Sequence, residues 1–253
     1  MKQFVKRIGI LLGVLAVVSV VICVCIDPYN VYHWRRIRAN GVEPNKNYIK
    51  MRYLLEQEQE YDAFLFGSSR VGSIHVEKLQ DCHCYNMTYS EGIPEEHLEN
   101  LKTLLAHGMV PKRVYLGVDS ISYSENYKEH QDSALRASYE TLQNPLVFIE
   151  LYTNASVAME AIPTIIEGTS KETFGEDFYN YGWWCSYEQK PVEHWEEELQ
   201  KNRRKNSVTE NYMEESLAAI RGIKDLCDAN GIELIVFTNP MYGVVFDQSM
   251  EVG

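Results

Sequence analysis

Hydrophobic and polar positions divide the chain into two unlike parts. Ile8 to Ile26 is apolar or small throughout and carries no charge, close to the roughly 20 residues a helix needs to cross a bilayer. Behind it, short apolar runs alternate with longer segments whose apolar residues recur every three or four positions. Ala63-Phe64-Leu65-Phe66 is an apolar run closed by Gly67, the pattern of a strand buried on both faces, expected over 62–66. Further strands are expected near 84–87, 113–118 and 232–238. Asn45 to Glu60 reads as a helix with Tyr48, Met51, Leu54 and Leu55 on one face. A second helix opens at Pro94, is striped by Leu98, Leu101, Leu104 and Leu105, and stops at Gly108. A third covers 208–230, with Leu217, Ile220, Ile223 and Leu226 inward and Asn230-Gly231 as its stop. Ile74 to Leu79 is a short helical or irregular crossover, and Asn144-Pro145 begins another helical run. This alternation predicts an α/β fold: a three-layer, flavodoxin-like parallel sheet with right-handed crossovers and a detached N-terminal helix.

The apolar run follows Lys2, Lys6 and Arg7 and ends Val-Cys-Ile-Asp-Pro, without a small-x-small cleavage pattern. An uncleaved anchor over residues 1–26 is expected. Arg35, Arg36 and Arg38 lie close behind it, so the flanking positive charge is nearly balanced. A short basic N-terminus that stays inside places the bulk of the chain outside the cytoplasm, as a single-pass membrane protein. The remaining roughly 225 residues are ample for one large single-core domain, taken as 27–253 with an insertion at about 121–200. A net charge of −12 argues against nucleic acid as a partner.

Chemistry concentrates where apolar runs end. The strand at 62–66 runs into Gly67-Ser68-Ser69-Arg70, and a glycine there lets the next side chains reach the carboxyl rim, where open α/β sheets bind ligands. A serine at that rim is a nucleophile if a base and oxyanion donors stand near it; otherwise Ser68 or Ser69 is an N-cap. Phe178, Tyr179, Tyr181, Trp183, Trp184 and Tyr187 crowd into ten residues, as a sugar-binding platform or as the core of a small helical subdomain. Glu193 to Glu198, leading into Lys201-Asn202-Arg203-Arg204-Lys205, reads as a solvated helix face. Cys82 and Cys84 flank His83, but no second Cys/His pair with finger-like spacing follows, so no metal is expected. Cys185 and Cys227 leave disulfide pairing open.

Three rim blocks have now accumulated: Gly67-Ser68-Ser69-Arg70, Asn86 through Gly92, and Gly117-Val118-Asp119. In order and spacing they resemble the SGNH/GDSL hydrolase superfamily. More narrowly, they resemble its membrane-anchored branch, which includes alginate O-acetylation proteins and the D-alanyl transfer proteins of teichoic acid synthesis. The anchor followed by Asp27-Pro28-Tyr29-Asn30 is similar to that branch as well. The resemblance implies Ser69 as nucleophile, Gly92 as an oxyanion donor and Asp119 at the third-block position. It implies no cofactor, and as partners an envelope polysaccharide or acyl donor and a membrane-bound acyltransferase. Arg70, Trp183 and Trp184 are then candidates for substrate binding.

The chain departs from that pattern in three places. Gly92 lies one residue further from Asn86 than usual. The third block ends in Asp119 where the family has an asparagine, and an ionised carboxylate only accepts; Asp119 is expected to orient Arg70 or a substrate hydroxyl, or to form a plain salt bridge. No Asp-x-x-His occurs to supply the base, and the chain stops soon after Asn239-Pro240. A C-terminally truncated sequence is therefore expected, nearly inert as it stands, with a pseudoenzyme as the alternative. His75, His83, His97, His107, His130 and His194 remain as possible bases. Of these, His97 and His107 read as surface residues, and His130 as a loop residue near the rim. The expected activity is that of an extracytoplasmic serine acyl esterase or O-acyltransferase acting on cell-envelope glycans. The alternative is a non-catalytic anchored module that binds glycan or protein.

Overall fold

A computed structural model of the chain describes residues 2–35, 37–38, 40–56, 61–168 and 212–239. The aromatic cluster with Trp183 and Trp184, Cys185, His194 and the charged run to Lys205 lie outside the described residues. The chain divides into two compact units, one of residues 1–57 and 128–174, the other of 58–127 and 175–253.

The first unit is helical. Helix α1 (Lys2–Ile26) is long and apolar enough to cross a membrane and lies at the N-terminus, where a signal sequence has the same character. It is not detached. Residues 2–18 are exposed, but Cys23 is wholly buried and its last turns pack against a later helix of the same unit, Ala155–Glu167. Directly after α1 the chain is held by short polar side chains. Asp27 accepts from the N–H groups of Val31 (2.9 Å) and His33 (2.6 Å). Asn30 bonds both backbone groups of Arg38, and Asn40 donates to the Asp27 and Pro28 carbonyls. Helix α2 (Lys46–Glu56) buries Tyr48, Met51 and Leu54, as its stripe predicts, with Lys46, Asn47 and Lys50 buried as well. Burial drives the Lys50 ammonium well below its ordinary value, with Lys46 adding to the effect. Asn45 ties this helix's entry to later chain, donating to the Ala137 carbonyl and the Tyr152 hydroxyl at 2.8 Å each.

The second unit holds a four-stranded, all-parallel sheet, β1 (Ala63–Phe66), β2 (Cys84–Asn86), β3 (Arg113–Gly117) and β4 (Glu233–Phe237), in the order β2-β1-β3-β4. Each strand falls where the apolar runs place it. Ala63 pairs with Cys84 on one side and Arg113 on the other, and all four β1 residues are buried. The order is that with which doubly wound sheets begin. It reverses between β1 and β3, so the carboxyl ends of those strands open a crevice.

Helix α3 (Pro94–Ala106) packs on helix α7 (Met213–Asn230); between them in sequence lie α4 (Tyr127–Gln131), α5 (Pro145–Tyr152) and α6 (Ala155–Glu167). The inner face of α7 matches the predicted one in part: Ile223 is buried and Ile220 and Leu226 are half-buried, but Leu217 is not inward. Ser216, Ala219, Ile223 and Cys227 are buried, whereas Leu217 is 41% exposed. Small residues turn inward because the helices approach closely: a Cβ on Gly222 would lie 2.9 Å from Leu98 Cδ2. Gly222→Val should therefore cost about 1–3 kcal/mol through overpacking, whereas Leu217→Ala should stay within about 0.5 kcal/mol. Denaturant unfolding of both variants checks this; a larger loss at Leu217 would restore the predicted face.

Candidate functional site at the sheet rim

At the end of β1 the backbone turns at Gly67, whose φ of +149° and 2.5 Å approach of a would-be Cβ to Val71 Cγ2 both demand glycine. Ser68 follows in extended conformation, bridges to Tyr89 beyond β2, and caps the 3-10 turn Ser69–Val71 by accepting from the Arg70 N–H at 3.2 Å. The capping role predicted for one of the two serines thus falls to Ser68. Its buried hydroxyl also donates to Asp119 Oδ2 at 2.5 Å.

Asp119 stands just beyond β3 and caps a second 3-10 turn, its Oδ1 accepting from the Ile121 N–H at 2.8 Å. Arg70 sits at 3.8 Å from the same carboxylate and donates to Ser120 Oγ at 2.7 Å, with its side chain 47% exposed. Asn239, beyond β4, donates to the Arg70 carbonyl. The carboxyl ends of β1, β3 and β4 are thereby joined through side chains over the crevice. Ser69, half-buried, has no hydrogen-bond partner for its hydroxyl among the described residues.

The second block supplies the floor. Asn86 does not face outward: it is buried, donates to the Gly72 carbonyl (2.8 Å) and accepts from the Thr88 N–H and hydroxyl. Gly92 is buried against β1's end, where a Cβ would meet the Gly67 carbonyl at 2.8 Å and His97 Cε1 at 2.9 Å. Its N–H donates to the Tyr89 carbonyl at 3.3 Å, so this amide closes a turn in the structure. The geometry joins Ser68 to Asp119, keeps Ser69 beside Ser68 in the chain, and packs Gly92 against the Gly67 carbonyl at the end of β1.

The histidines fall differently from expectation. His107 is exposed, as predicted, but His97 is 1% exposed, because α3 turns it inward onto Phe66 (5.4 Å between ring centroids) and Tyr89 (5.5 Å). Neither of its nitrogens has a hydrogen-bond partner among the described residues. Burial pushes its pKa down to about 3, outweighing a smaller upward pull from the Gly92 backbone. His130 is a buried residue of α4, not a loop residue, and belongs to the first unit. Among the described histidines of the second unit, none is hydrogen-bonded to the Ser68 or Ser69 hydroxyl.

Ser68 and His97 are the two site residues whose places the sequence reading did not anticipate: Ser68 was read only as a possible cap, and His97 as a surface residue. Ser68 carried a signal, since the residue directly after the strand-ending glycine is the one nearest the sheet. His97 carried none beyond its place in the first turns of a helix. Cys82, Cys84 and Cys227 are free thiols, and no cluster of three or more metal-ligating side chains occurs among the described residues. A cleft of about 350 Å³ lies in the first unit, lined by residues including Tyr48, Arg52, Tyr139 and Phe148. No protein-family model, curated protein or solved structure matches this chain.

The buried histidine makes stability depend on pH. The folded protein keeps His97 neutral to about pH 3, whereas an unfolded histidine takes its proton near about 6.5. The unfolded chain therefore binds more protons between those values, and this site's contribution falls as pH drops through the window, by at most about 1.4 kcal/mol per pH unit. His97→Leu should flatten that dependence in urea unfolding followed between about pH 6.5 and 4.5. An unchanged slope in the variant would assign the acid sensitivity to other groups.

Proposed function

We propose that this chain is a membrane-anchored, SGNH-like protein of the cell envelope, with its main domain outside the cytoplasm. In this reading Ser69 is the acyl-accepting nucleophile of an esterase or O-acyltransferase acting on envelope glycans. One observation carries the reading: the Ser68–Asp119 hydrogen bond closes the crevice floor between β1 and β3 and leaves the neighbouring Ser69 hydroxyl uncommitted at the rim. A crevice at that reversal is where open α/β sheets hold their ligands. The Ser69 N–H is one oxyanion donor in this reading. Gly92 supplies the second once its amide leaves the Tyr89 carbonyl. Arg70, half-exposed and braced by Ser120, is placed to hold an anionic or hydroxyl-rich acceptor. The partners in this reading are the acyl donor, the polysaccharide and a membrane-bound acyltransferase.

A second reading, a non-catalytic module that binds glycan or protein, is favoured by the groups that stand around the two serines. Asp119 accepts where an oxyanion hole needs a donor, and the described part of the second unit brings no histidine to either serine. A serine without its base loses most of its rate.

Acylation itself separates the two readings. On exposure to p-nitrophenyl acetate, the Ser69 oxygen attacks the carbonyl, p-nitrophenolate leaves and the serine proton passes to solvent. Peptide mapping should find a slowly formed acetyl ester on Ser69, absent in Ser69→Ala and retained in Ser68→Ala. Turnover should stay close to background. No ester on Ser69 at any time, in protein that remains folded, would favour the binding module.

A further inference from the structure

Helix α6 reads Ala-Ser-Val-Ala-Met-Glu-Ala-Ile-Pro-Thr-Ile-Ile-Glu over Ala155–Glu167, with two carboxylates and no basic residue. Set around a helix at about 100° per residue, its side chains fall into three arcs. Ala158 and Ala161 are wholly buried, on the side that packs toward the protein. Ser156, Glu160 and Glu167 make a narrow polar arc. Between these arcs runs a stripe of Met159, Pro163 and Ile166 at i, i+4, i+7 spacing, exposed to solvent, with Met159 at 54% and Ile166 at 78%. An amphipathic helix lies in a membrane interface with its apolar face among the acyl chains, and this helix has such an exposed face beside an acidic polar arc.

What covers the stripe follows from the helix that α6 touches. It packs on α1, and since residues 2–18 of α1 are exposed while burial begins at Ser19, the contact falls on the last turns of α1. The uncharged stretch Ile8 to Ile26 is about 28 Å long at about 1.5 Å per residue, close to the roughly 30 Å of a bilayer's hydrocarbon core. When α1 spans, its last turns lie within one leaflet, and a helix packed on them shares their depth. Buried small residues such as Ala158 and Ala161 are of the kind that lets helices approach each other in lipid. The polar arc borders the stripe: Glu160 lies near enough to Tyr29, just past the end of α1, to push the phenol's pKa upward, adding to the effect of burial.

We propose that α6 is a second membrane-embedded element, its Met159-Pro163-Ile166 stripe in contact with the acyl chains of the leaflet in which α1 ends. The proposal rests on the reading of α1 as a membrane span. It makes the first unit a base held in the bilayer by two helices, one crossing and one lying at the interface.

The test uses the full chain reconstituted alone into phosphatidylcholine nanodiscs. A photoreactive p-benzoylphenylalanine replaces Met159 or Ile166, with the same group at Leu12 as the control in the span and at the exposed Glu140 as the control in water. Mass spectrometry after irradiation should find phospholipid adducts at positions 12, 159 and 166 and none at 140. Lipid adducts at 12 but at neither 159 nor 166 would overturn the proposal while leaving the anchor intact. So would cross-links from 159 and 166 to a second copy or to another segment of the chain. No lipid adduct at position 12 would overturn the anchor reading, and this one with it.

Discussion

Beyond the ends of its strands a parallel sheet has few backbone hydrogen bonds, so side chains help to hold the loops leaving the switch point. The contact that joins two of these loops is the hydrogen bond from Ser68 to Asp119 at 2.5 Å. Each partner is also a cap: Ser68 accepts from Arg70 and Asp119 from Ile121. The bond therefore fixes two turns at once and sets where Ser69, Arg70 and Ser120 stand. A hydrogen bond to an ionised partner in a mostly buried place is among the stronger polar contacts a protein makes. Gly67 and Gly92 matter to the same end, since any side chain at either would push the strand ends apart.

The strands were legible in the sequence because a parallel strand buried on both faces must be an unbroken apolar run, as Ala63–Phe66 is. Their crossover helices were legible through Pro94, Gly108 and Gly231, which punctuate them chemically. The inner face of α7 was misplaced at Leu217 because close helix packing selects small residues: Ser216 and Ala219 point inward while the larger Leu217 does not. The site was legible in part. The blocks at the ends of β1 and β3 meet through Ser68, Arg70 and Asp119, but the pairing of Asp119 with Ser68 depends on a side-chain direction that spacing does not encode. His97 was hidden for a similar reason, because one residue's turn around α3 separates solvent from the Phe66 and Tyr89 rings.

The polar residues behind α1 do for the first unit what the rim bond does for the second. Asp27, Asn30, Asn40 and Asn45 use short side chains to satisfy backbone groups of an irregular chain, which otherwise leaves buried donors and acceptors unpaired at a cost. A chain that emerges rigidly from a hydrophobic helix keeps its following structure at a fixed distance from that helix's end.

The central claim, that the Ser68–Asp119 contact organises the rim, is tested most directly by a double-mutant cycle on stability with Ser68→Ala, Asp119→Asn and the pair. The account predicts a coupling energy of about 1.5–3 kcal/mol, the range for a hydrogen bond to a charged group. Additive effects, with a coupling within about 0.3–0.5 kcal/mol of zero, would mean that the two turns hold themselves and that the contact only accompanies the fold.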